Sequence, residues 1–134
     1  MQLEKLKPTV YRNPAKLNEI LGAMYSDMAA ALGPKLVGMK LFGSYARGDY
    51  WEESDVDVFV ILEDGVDGWQ GETLKALTDI SYEYGLENDI LISIVRANRT
   101  PFLEDTYNPL FMNIRDEGIE INREGLMNDR QGLC

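Results

Sequence analysis

The run Asp55-Val-Asp-Val-Phe-Val-Ile-Leu62 is eight residues dense in Val and Ile, and it constrains the fold more than any other stretch. It reads as a strand. Alternation then puts Val56, Val58, Val60 and Leu62 on one face, toward a core, and Asp55 and Asp57 on the other, about 7 Å apart at the usual rise per residue. Two carboxylates on an otherwise apolar strand are costly unless something compensates them. A divalent cation does so directly, and Mg²⁺ favours one or two carboxylates completed by phosphate oxygens. The sequence offers few other chemistries. There is no His and a single Cys, Cys134, which excludes ordinary zinc and haem sites, Ser-His-Asp triads and an intrachain disulfide framework.

Around this strand the chain reads as alternating helices and strands. Asn13-Pro14 is an N-cap followed by proline at the first helical position. Leu17, Ile20, Leu21, Met24, Met28, Ala31 and Leu32 then form one apolar stripe, stopped by Gly33-Pro34. A strand follows over Leu36 to Phe42, a polar loop over Ser44 to Ser54, and an acidic surface loop over Glu63 to Gly71. Glu72 to Gly85 reads as a helix with Leu74, Leu77, Ile80 and Tyr84 on one side, and Asp89 to Val95 as a strand buried on both faces. Pro109 to Glu117 reads as a helix ended by Gly118, and Ile119 to Ile121 as a short edge strand. Gly125 to Cys134 is polar and expected to fray. These elements predict an α+β (α/β-like) fold, a small sheet of about four strands with helices packed on it. A single domain spans 1–134, with its core at about 14–121.

Gly43-Ser44 falls where the first strand should turn into a helix. Glycine lets the backbone approach a phosphate closely, and the peptide N–H groups that follow would favour an anion. Ser44 adds a hydroxyl, and Arg47, one turn on, adds a forked cation. Ten residues separate Ser44 from Asp55, enough for the chain to return and set the acid pair beside this cradle. The P-loop and dinucleotide-binding glycine patterns are absent. Tyr45, Tyr50 and Trp51 either stack on a base or pack under the loop. The acids of 63–67 form a solvated loop or face a basic partner, and Lys40 has the default of a surface ion pair.

The stretch LFGSYARGDYWEESDVDVFVIL resembles the signature of the DNA polymerase beta nucleotidyltransferase superfamily, and its short frame resembles the minimal nucleotidyltransferases of that group. The resemblance implies that Gly43, Ser44 and Arg47 hold a nucleoside triphosphate, ATP by preference, while Asp55 and Asp57 bind Mg²⁺. It also implies a third carboxylate on a later strand beside the acid pair. Asp89 is the candidate, as metal ligand and as acceptor of the attacking hydroxyl's proton; alternatively it merely opens a strand. The implied activity is that of an antitoxin which transfers AMP to a tyrosine hydroxyl of a HEPN-type toxin and assembles with it. Two other readings are a small-molecule hydroxyl as acceptor, with a partner subunit completing the pocket, and an antitoxin that acts by contact alone. The formal charge of −10 suits a basic partner and disfavours a nucleic acid backbone. No apolar run reaches the length of a membrane span. The single cysteine and the absence of a signal-peptide core at the first residues predict a cytoplasmic protein.

Overall fold

Asn13 starts the first helix as its residue type predicts: its Oδ1 accepts the Lys16 N–H at 3.1 Å, and Pro14 occupies the first turn. In this computed structural model, which describes residues 10–127, helix α1 (Pro14–Leu32) buries Leu17, Ile20, Leu21, Met24, Met28 and Leu32. Ala31, at the edge of the predicted stripe, is exposed. A short 3₁₀ turn at Gly33–Lys35 leads into β1 (Leu36–Phe42), then the single-turn helix α2 (Ser44–Arg47) and β2 (Val56–Leu62). Helix α3 (Gly71–Asn88) is followed by β3 (Ile92–Asn98), α4 (Arg99–Glu104), α5 (Pro109–Glu117), β4 (Ile119–Asn122) and β5 (Gly125–Leu126).

The strands form one five-stranded sheet in the order β3-β2-β1-β4-β5, with β2 and β3 parallel and the other pairs antiparallel. The fifth strand corrects the expectation that 125–134 frays from its start. Gly125 and Leu126 pair with β4, and Asn18 of α1 holds them, donating to Glu124 O at 3.0 Å and accepting from Leu126 N at 2.6 Å. Gly22 lets the turn lie on the helix, since a Cβ there would come within 2.6 Å of Arg123 O. Residues 128–134 lie outside the described part of the chain.

Alternation along β2 sorts the core into two. Val56, Val58, Val60 and Leu62 join Met39 and Leu41 of β1 under α1 and α3. Phe59 and Ile61 face the opposite way and pack with Phe102 of α4 and Ile114 of α5. Each fully buried side chain of this size contributes about 1.5–3 kcal/mol by leaving water. Asp57 shares the face of Phe59 and Ile61, at the end of the strand that this second layer leaves open.

Helix α3 packs Leu77, Ile80 and Tyr84 of the predicted stripe against the core, with its most buried line shifted toward smaller residues. Thr73, Leu77, Ser81 and Gly85 are buried, while Leu74, Ile80 and Tyr84 are half-buried. Small residues at four-residue spacing let the helix approach the sheet, and Ser81 satisfies its hydroxyl by donating to Leu77 O at 2.7 Å. Tyr84 donates to Asp27 Oδ2 at 2.5 Å, tying α3 to α1. Burial, then this bond to a carboxylate, pushes the Tyr84 phenol up to about 12 from 10.0. The neutral phenol is therefore the form the fold prefers, and its contribution is complete below pH 10. We predict that alkaline melting between pH 10 and about 12 removes more stability from the wild type than from Tyr84→Phe. Parallel curves for the two proteins would refute the assignment.

The acidic loop is bound to its own chain. Glu63 pairs with Arg99 at 2.9 Å, and Asp64 accepts from both the backbone and the hydroxyl of Thr100. The Asp64 N–H, and after it Arg99, holds the Glu63 carboxyl below its usual range.

Candidate active site

The β1-to-α2 bend depends on Gly43. Its φ of 76° and ψ of −154° lie in a region that side chains other than glycine's rarely enter. A Cβ at this position would collide with Oδ2 of Asp57 and come within 3.1 Å of its Cγ. The reason is the register: Phe42 faces Asp57 across the antiparallel β1–β2 pair, so the next residue passes directly over the carboxylate. The ten residues between Ser44 and Asp55 thus belong to a loop that returns the chain until Asp57 lies against Gly43.

After the bend, Gly43 O accepts from Ala46 N at 3.1 Å and Arg47 N at 3.0 Å, and Ser44 O accepts from Gly48 N at 2.8 Å. This winds α2 into one turn of four residues. So short a helix has little macrodipole, and an anion here would depend on the first-turn N–H groups, the Ser44 hydroxyl and Arg47. Arg47 Nε donates to Asp49 Oδ2 at 3.2 Å on the surface, a contact worth about 0–1 kcal/mol. Exchanging it for a phosphate costs correspondingly little.

Asp55 is exposed and Asp57 half-buried. Burial raises the Asp57 carboxyl above its ordinary 3.8, the charge of Asp55 raises it further, and Arg47 opposes both. A carboxylate so disfavoured beside a second one would be compensated by a hard divalent cation.

Asp89 is not on a strand. Helix α3 runs on to Asn88, and Asp89 terminates it in the left-handed conformation at φ 56°, its N–H donating to Gly85 O. Asp is one of the few residues other than Gly that tolerates this geometry. Gly85 permits the turn, because a Cβ there would meet Ile90 O at 2.7 Å. Strand β3 accordingly begins at Ile92, three residues later than the sequence predicts, and the residue in register with Asp57 is Ser93. Among the described residues, no three His, Cys, Asp or Glu side chains are grouped closely enough to hold a metal ion. Asp55, Asp57 and Asp89 therefore do not form a three-carboxylate cluster.

Asp89 does line the same cleft as Asp55. This cleft, about 200 Å³, is bounded by Tyr45, Glu52, Glu53, Ser54, Asp55 and the segment 89–91. Glu52 and Glu53 were not singled out by the sequence pattern, which shows them only as loop acids; their place at the rim comes from the return of the loop. Tyr45 and Tyr50 pack against each other, stacked with ring centroids 4.2 Å apart, and Tyr11 meets Tyr50 edge-on. They support the loop. Trp51 is exposed.

Residues 27–117 match the family described as Nucleotidyltransferase domain. Two proteins of Methanocaldococcus jannaschii named "Putative protein adenylyltransferase" are relatives. MJ0141 is 38% identical over 96 residues, covering 67% of this chain and 91% of its own. MJ0604 is 71% identical over 78 residues, covering 58% of this chain and 70% of its own. In fold, the chain is similar to a nucleotidyltransferase crystal structure from Sulfolobus solfataricus (TM-score 0.50, 17% identity, 84% of this chain and 86% of that one). A toxin–antitoxin crystal structure with AMP-PNP matches at TM-score 0.49 and 19% identity, over 74% of this chain and 70% of that one.

Proposed function

Since this chain belongs to the nucleotidyltransferase domain family, we propose that it transfers AMP from ATP to a hydroxyl of a protein acceptor, with Asp55 and Asp57 holding Mg²⁺. The observation that carries the reading is the contact between the Gly43 bend and the Asp57 carboxylate. It brings a phosphate-seating backbone and a cation-binding acid pair within one ligand's reach. The protein acceptor is supported by relatives of 38% and 71% identity that bear the name protein adenylyltransferase. A tyrosine hydroxyl of a HEPN-type toxin, held in a hetero-oligomer, is the specific acceptor that the sequence motif implies.

In this reading Mg²⁺ supplies charge neutralisation and polarises the α-phosphate. Ser44, the first-turn N–H groups and Arg47 seat the β- and γ-phosphates. The acceptor oxygen forms a bond to the α-phosphorus as the bond to the bridging β-phosphate oxygen breaks, and pyrophosphate departs. Asp89, which lines the same cleft as Asp55, takes the acceptor's proton.

Intact-mass analysis after incubating a co-purified acceptor with this protein, ATP and Mg²⁺ tests the reading. Mass increments of AMP are expected on the acceptor, and an unchanged mass would overturn it. Asp89→Asn keeps a residue tolerant of the left-handed turn while removing the base. It is expected to slow transfer by about 10²–10⁴-fold with ATP affinity intact. A wild-type rate would leave Asp89 as a helix terminator.

A further inference from the structure

The catalytic cleft continues into a larger groove. Where the C-terminal half of α3 meets the start of β3, a depression of about 510 Å³ has Ser81 and Gly85 near its base and Tyr82, Leu86 and Leu91 on its walls. These three side chains are 68%, 70% and 64% exposed, an unusual grouping of large apolar residues on a chain this acidic. Asp89, Ile90 and Leu91 line both the groove and the cleft of Asp55, so the two are one continuous surface. Tyr82 and Leu86 also border a second hollow with Asp79 and Glu83. Among the described residues, no Lys or Arg lines the groove, the hollow or the cleft. Asp79 is paired with Lys75, which leaves Glu83 in the hollow, Asp89 in both groove and cleft, and Glu52, Glu53 and Asp55 in the cleft as the acids among the described lining residues. Strand β3 is also an edge of the sheet.

We propose that this groove docks the protein acceptor through a segment with apolar anchors interleaved with Lys or Arg, and so delivers the reactive hydroxyl to the cleft at Asp55. The proposal rests on the protein adenylyltransferase reading and adds the chemistry by which the acceptor is recognised. Apolar side chains of the segment fill the space between Tyr82, Leu86 and Leu91, and its cations meet Glu83, Glu52 and Glu53, leaving Asp89 to the reacting hydroxyl. Charge complementarity of this kind sets partner choice and encounter rate, while the apolar anchors supply most of the affinity. A second copy of this chain fits poorly, because an isologous contact would set each acidic rim against its own copy.

The probe is a synthetic tyrosine-containing peptide of alternating Leu and Lys, with its Leu/Glu counterpart as control. Its binding to the full chain is measured by fluorescence anisotropy without nucleotide. The Leu/Lys peptide is expected to bind and the Leu/Glu peptide not. Tyr82→Lys and Leu86→Lys, both on exposed positions outside the catalytic cleft, are each expected to weaken binding at least about tenfold. With ATP and Mg²⁺ present, the same variants should raise KM for the peptide and leave ATP affinity unchanged. Equal affinity of both peptides, no binding of the Leu/Lys peptide, or undiminished binding by the variants overturns the proposal. So does a dimer in solution that either variant dissolves. The two readings fail separately: nucleotide-free binding tests the groove alone, whereas binding without any AMP transfer by the wild type tells against the enzymatic reading alone.

Discussion

Replacing Asp55 and Asp57 together by Asn is expected to abolish AMP transfer, by about a thousandfold or more, in a protein that melts no lower than the wild type when both are free of metal. The two halves of this result have one cause. Asp57 is half-buried beside Asp55, and burial, chiefly, raises its carboxyl above 3.8. In the window between 3.8 and the raised value, the unfolded chain has released a proton that the folded chain still holds. The contribution of Asp57 to stability therefore falls as pH rises through that window and remains lower at neutral pH. Asn removes the charge and with it this loss, so the metal-free variant should melt at or above the wild-type temperature at pH 7, with the difference vanishing in acid. Adding Mg²⁺ and ATP should reverse the order, because only the wild type gains from a ligand that binds the folded state. Calorimetry in chelator and in Mg²⁺–ATP, alongside transfer of α-labelled ATP, measures both halves. Retained transfer would remove Asp55 and Asp57 from the site. A variant that is less stable in chelator would mean that the pair supports the fold and is not strained by it.

That strain was legible in the sequence because alternation along a single strand is a local property. Val56, Val58 and Val60 turn to the core face as alternation requires and Asp57 to the other; the strand begins only at Val56, so Asp55 lies just before it, near enough for its charge to raise the Asp57 carboxyl. The N-terminal signal of α1 was local too: Asn13 caps the helix through its own side-chain oxygen. Gly118 was legible as a stop but for a different reason from the one its type suggests. Its φ is −66°, and glycine is needed there because a Cβ would come within 2.5 Å of Ile114 O. The misreadings all concern residues whose place depends on distant partners. Asp89 looked like the first residue of an apolar strand, but α3 extends to Asn88 and consumes it as a terminator. Ser93 then comes to lie beside Asp57 through the β2–β3 register, which no short-range pattern encodes. Helix α4 is only six residues long, too short for a periodicity to show, yet its Phe102 completes the second core. The predicted stripe of α3 reaches the core through Leu77, Ile80 and Tyr84 but omits Thr73, Ser81 and Gly85, which are not apolar markers and are buried for their size.

Gly43→Ala is the substitution with the largest expected effect outside the acid pair, and a double-mutant cycle can separate its two components. One component is conformational. Holding φ at 76° and ψ at −154° with a side chain present costs about 1–3 kcal/mol of stability whatever the neighbours. The other is the collision of the new methyl with the Asp57 carboxylate, which must rotate or retreat and so misplace the donor atoms on which the cation depends. Transfer should accordingly fall by at least about a hundredfold, since small displacements of reacting groups are expensive. In an Asp57→Ala background only the Cβ of residue 57 remains near the methyl, at 3.2 Å. There the substitution should cost less than in the wild type, with the conformational component alone surviving. The difference between the two costs is the coupling between bend and carboxylate. Equal costs in both backgrounds would mean that the bend and the acid pair are independent, and the physical link that unites phosphate seat and cation site would be gone.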